Sequence, residues 1–72
     1  MKTEYIVRED IMTEDELGEY RSYGITCKSD AGEEHLRDIS TDRALVEDMA
    51  ARFNLYRLSP LHFRDAVEDE IE

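Results

Sequence analysis

The hydrophobic period of the chain changes near its middle. From Thr3 to Met12 (TEYIVREDIM) apolar and polar positions alternate, with Tyr5, Val7 and Ile11 on one parity. From Glu19 to Lys28 (EYRSYGITCK) they alternate again, with Tyr23, Ile25 and Cys27 on one parity. A period of two in segments rich in β-branched and aromatic residues predicts half-buried strands. Between them, the acids and Gly18 of TEDELG suit a polar turn, and SDAG after Lys28 supplies a second turn that ends in glycine. EEHLRDI, Glu33–Ile39, then reads as a short third strand.

The alternation also predicts a register. Pairing Val7 with Ile25 sets Tyr5 opposite Cys27 and Ile11 opposite Arg21. Pairing Lys28 with Glu33 sets Ile25 opposite Leu36 and Cys27 opposite Glu34. One face of the meander then collects Tyr5, Val7, Ile11, Tyr23, Ile25, Cys27 and Leu36, and the other Arg8, Asp10, Ser22, Thr26, Lys28, Glu33 and His35. A slip by one residue would mix the two sets, so the pattern favours this register. Ile6 and Tyr20 fall on the polar side, as single exposed apolar residues or as a patch that pairs with another copy.

The second half has a helical period. In DISTDRALVEDMAARFN, Leu45, Val46, Met49, Ala50 and Phe53 recur at helical spacing. Ser40 or Thr41 is the expected N-cap, with Asp42 in the first turn and Asn54 as the stop. The closing stretch, LSPLHFRDAVEDEIE, has Ser59 as N-cap, Pro60 at the first helical position, and Leu58 with Phe63 as a hydrophobic staple. Phe63, Ala66, Val67 and Ile71 form its apolar stripe. These elements predict an α+β fold: a three-stranded antiparallel β-meander followed by two α-helices packed on one face, in a single small domain spanning residues 1–72.

Size and charge narrow the function classes. A chain of 72 residues has a small core, worth about 3–5 kcal/mol of net stability, so self-association is a reasonable support. Cys27 is the only cysteine, which excludes an intramolecular disulfide and fits a reducing cytoplasm. The sequence holds no apolar run long enough to span a membrane, and MKTEYIVRED lacks the apolar stretch of a signal peptide. Nine Lys and Arg oppose nineteen Asp and Glu, a net charge of −10. That balance argues against direct contact with nucleic acid or an anionic membrane, and leaves solubility, docking on a basic protein, or mimicry of nucleic acid.

Three groups of residues bear on chemistry. His62, Asp65 and Asp69 line one strip of the last helix, as a partial divalent-metal site would, but they match no metalloenzyme spacing and read as a solvated helix face. Cys27 and His35 would make a thiol–imidazole pair only on the same face, and the register separates them. Glu14, Asp15, Glu16 and Glu19 are the densest acidic cluster; they lack the alternate oxygens and central glycine of a calcium loop. No catalytic residue, cofactor site or glycine-rich phosphate loop is expected.

The segments YGI, DISTDR and LSPLHFRDAVED resemble small uncharacterised acidic proteins of clostridia and related Gram-positive bacteria, grouped as a domain of unknown function. The resemblance runs from about Tyr20 to Ile71, rests largely on capping and packing signals, and implies one α+β domain without implying an activity. Together these readings predict a non-enzymatic cytoplasmic interaction or regulatory module whose partner is another protein, basic in charge, or a second copy. The alternatives are an acidic nucleic-acid mimic that inhibits a DNA-binding protein and, behind it, a metal-dependent enzyme using His62, Asp65 and Asp69.

Overall fold

The computed structural model describes residues 2–16 and 18–71, so Met1, Leu17 of the TEDELG turn and Glu72 lie outside the described residues. An antiparallel sheet in the order β1-β2-β3 is built from β1 (Glu4–Glu14), β2 (Gly18–Ser29) and β3 (Gly32–Ser40). Two helices follow, α1 (Arg43–Leu55) and α2 (Phe63–Ile71), the second entered through a 3-10 turn at Pro60–His62. The α+β meander with helices against the sheet is therefore the observed architecture, drawn out to 43 × 22 × 17 Å.

The register follows the alternation of the sequence. Tyr5 faces Cys27, Val7 faces Ile25 and Ile11 faces Arg21 in an unbroken β1–β2 ladder. Ile25 faces Leu36, Cys27 faces Glu34 and Lys28 faces Glu33. Past Ile25 the β2–β3 pairing shifts, and Tyr23 lies opposite Ser40. Asp38, at φ 54°, takes up the irregularity. The bulge corrects the expectation of a plain third strand, and it has a packing consequence: Ile39 turns to the helix face and joins the core, where an unbroken alternation would leave it on the polar face.

The core gathers Tyr5, Ile25 and Cys27 from the sheet with Val46, Met49, Ala50 and Phe53 of α1 and Phe63 and Val67 of α2. Tyr5, Phe53 and Phe63 meet with ring centroids 5.2–6.3 Å apart, so one aromatic trio ties the first strand to both helices. Three residues expected inside are outside: Leu45, Ile71 and Ile11 are exposed. Ile11 has the right parity, but it lies on the part of the β1–β2 ribbon farthest from the Tyr5 end that meets α1 and α2.

Helix boundaries depart from the sequence reading in two places. Asp42, and not Ser40 or Thr41, is the N-cap of α1; its carboxylate accepts from Leu45 N–H at 3.3 Å. Ser40 ends β3, and its hydroxyl accepts from the Asp42 N–H. At the other end α1 passes through Asn54 to Leu55, and Arg57, at φ 54°, holds the left-handed position expected of Asn54. Ser59 caps the closing segment as expected, accepting from Leu61 N–H at 3.3 Å, with Pro60 at the first position.

Candidate functional site

The residues singled out by spacing stay apart from any common centre. His62 lies in the 3-10 turn, Asp65 and Asp69 lie on α2, and all three are exposed. Among the described residues no group of three His, Cys, Asp or Glu side chains is placed to hold a metal ion. Cys27 is buried in the core, where burial pushes its thiol pKa up, while His35 faces the other side of the sheet. Glu14, Asp15, Glu16 and Glu19 surround the exposed β1–β2 turn, and among the described residues none of them forms an ion pair.

A polar network on the helix-free face of the sheet was not visible in the sequence. Asp10 Oδ1 lies 3.3 Å from His35 Nε2, and His35 Nδ1 lies 2.7 Å from Thr26 Oγ1. A carboxylate can only accept, so His35 Nε2 donates to Asp10, while the direction of the bond between Nδ1 and the Thr26 hydroxyl follows the ring's proton. Ser22 Oγ lies 2.6 Å from Asp38 Oδ1, and Tyr20 donates to the same carboxylate at 3.1 Å. Ser22 and Thr26, expected on an open polar face, are 0% and 5% exposed. Tyr20, expected as an exposed apolar residue, is half-buried with its hydroxyl in this network, and Ile6 is half-buried as well.

Thr26, His35 and Asp10 stand in hydroxyl–imidazole–carboxylate order, with Thr26 5% exposed. The network braces the bulge. Gly24 sits beneath it, where an added Cβ would lie 2.3 Å from the Leu36 carbonyl oxygen and 2.9 Å from Asp10 Oδ2. Only glycine lets β3 fold this closely over β2.

The other notable feature is the outer edge of β1. Tyr5 N–H donates to Asn54 Oδ1 at 2.8 Å, and Asn54 Nδ2 donates to the Tyr5 carbonyl at 2.9 Å. The Tyr5 main chain therefore points away from β2. Because the ladder is regular, Val7, Glu9, Ile11 and Thr13 direct their N–H and C=O groups to the same edge. Among the described residues none of these groups has a main-chain or side-chain partner. On the helix side, an open cleft of about 340 Å³ lined by Val7, Glu9, Tyr23, Arg43 and Glu47 runs beside this edge. A second open cleft, of about 650 Å³, lies past the Asn54 end between Thr3, Glu4, Leu58 and Pro60.

The surface charges are largely interleaved. Arg21 pairs with Glu9, Lys28 with Glu33, Arg64 with Glu34 and Arg43 with Glu47. Arg52 bridges Asp48 and, in bidentate fashion at 2.8 Å, Glu70. The guanidinium hydrogen bonds hold the Glu70 carboxyl below the usual carboxylate range. Among the described residues no helix is long and apolar enough to cross a membrane.

The chain belongs to a family of unknown function (DUF6514), whose model matches residues 1–72. Neither the curated proteins nor the solved structures yield a match.

Proposed function

We propose that the protein is a non-enzymatic module of the cytoplasm that works by binding another protein, and that it does so by strand addition at β1. The observation that carries this reading is the regular outer edge from Val7 to Thr13, whose outward main-chain groups have no partner among the described residues while the adjacent Tyr5 is covered by Asn54. An uncovered edge of this kind is a template for an extended segment, and main-chain hydrogen bonds supply the affinity. The other edge is a poorer template, because the bulge at Asp38 breaks the line of β3. Interleaved ion pairs along the surface favour a contact of mixed polarity over mimicry of a phosphate backbone.

Hydrogen exchange on the complex with a partner purified from the native host tests this reading. The amides of Val7, Glu9, Ile11 and Thr13 should slow on binding, and Glu9→Pro should abolish the complex. Proline there removes an outward N–H and leaves the β1–β2 ladder, which runs through Arg8 and Asp10, in place. Protection confined to the helices would sink the strand-addition reading.

A further inference from the structure

The free edge of β1 also has a polarity, and it constrains what can lie against it. At its Tyr5 end the edge is stopped by the Asn54 side chain, so an added strand is registered from Val7 onward. At its other end it runs into the exposed turn that carries Glu14, Asp15, Glu16 and Glu19, acids that pair with no base among the described residues. On the helix face an added strand would meet Val7 and Ile11, the latter 53% exposed, on either side of Glu9.

A second copy fits this edge badly. Two β1 strands brought together antiparallel would set a segment whose acids, Glu4, Glu9, Asp10 and Glu14, outnumber its one base, Arg8, against itself, between chains that each carry −10. Like charges placed opposite one another across strands are destabilising. A segment with cations at the end beside the turn meets the opposite situation, since its charges answer acids that have no basic partner among the described residues.

Resting on the strand-addition reading above, we propose that β1 from Val7 to Thr13 takes, antiparallel, an extended partner segment whose basic N-terminal end lies beside the acidic β1–β2 turn. The antiparallel sense follows from the stronger ladder it forms. It places the start of the added segment against Thr13 and Glu14 and its end against Val7. Apolar side chains of the segment alternate inward over Val7 and Ile11, next to the cleft between β1 and the start of α1.

The probes are three short synthetic peptides: Lys-Lys-Thr-Val-Thr-Val-Thr-Val, the same peptide with Glu-Glu in place of Lys-Lys, and Thr-Val-Thr-Val-Thr-Val-Lys-Lys. Each is titrated into the full chain while backbone amide shifts and exchange rates are followed. The first should slow exchange at Val7, Glu9, Ile11 and Thr13, and bind about tenfold or more tightly than the other two at low salt. The preference should disappear in the quadruple variant Glu14→Gln, Asp15→Asn, Glu16→Gln, Glu19→Gln, whose exposed side chains leave the fold untouched. Equal protection by all three peptides overturns the charge and direction of the segment while leaving strand addition standing. Protection that grows with the protein's own concentration makes a second copy the occupant and overturns the proposal. No change at these amides with any peptide overturns strand addition itself.

Discussion

The Asn54 side-chain amide closes on the main chain of Tyr5 as one rung of an absent fourth strand would, accepting from its N–H at 2.8 Å and donating to its carbonyl at 2.9 Å. The contact joins residues forty-nine positions apart and fixes the end of α1 to the edge of the sheet. Asn54→Ala should lower stability by about 1–2 kcal/mol in denaturant titration, the loss expected when main-chain hydrogen bonds are exchanged for water. Asn54→Asp should cost at least as much at neutral pH, because a carboxylate would face the Tyr5 carbonyl with no proton to donate, and part of that loss should return in acid. Equal stability of wild type and both variants would show that the rung is ornamental.

At Gly24 the main chain of β3 lies close over β2. A methyl group there meets main-chain atoms, the Leu36 carbonyl oxygen and, at 3.1 Å, the Arg37 Cα, which cannot swing aside as a side chain can. Gly24→Ala should cost about 3 kcal/mol, the upper range for overpacking, which approaches the whole stability of a core this small. A collapsed amide spectrum at room temperature is the expected result, and a dispersed one with a native melting temperature would mean that the bulge can open without penalty.

The parts of this fold that were legible in the sequence are those set by period. The alternation around Val7 and Ile25 predicts the observed pairing residue by residue, because a one-residue slip would bury Arg8 and expose Tyr5. The parts that were not legible depend on close approaches between segments. Asp38 looks like an ordinary polar strand residue until the shift past Ile25 gives it a left-handed backbone and two hydroxyl donors. Asn54 looks like a helix stop, and its role at Tyr5 depends on where α1 lands on the sheet. The signals in hand were Gly24 in the middle of a strand, which marks a close backbone approach, and the pairing of Ser22, Thr26 and His35 on one face, which a wholly solvated surface would not require.

Arg52 ties the two helices through Glu70, and the pair has a defined pH dependence. Its hydrogen bonds depress the Glu70 carboxyl in the folded state, so its contribution is present above the unfolded carboxyl's value and is lost as pH falls through the folded one. Glu70→Gln should therefore be less stable than wild type at neutral pH, and the two curves should converge below about pH 4. Thermal melts across that range check the prediction. A difference that persists unchanged in acid would assign the effect to packing and not to charge.

Cys27 should report opening of the core. Its side chain is 3% exposed between Tyr5 and Ile25, and burial raises the pKa of the thiol. The reagent needs the thiolate, so labelling requires both exposure and deprotonation. With net stability of about 3–5 kcal/mol, labelling should run about 10²–10⁴ times slower than in urea-unfolded chain. The alkaline limb has a definite sign. A pKa raised on folding favours the neutral thiol, so that contribution is intact below the unfolded value and declines as pH rises above about 8.5. Burial raises the Tyr5 hydroxyl pKa in the same direction, so its decline begins higher, above about pH 10. Cys27→Ala should delete the first decline and keep the second, whatever it costs at neutral pH through the lost sulfur. Rapid labelling of the folded chain at neutral pH would show that the strand–helix seam opens locally, without global unfolding.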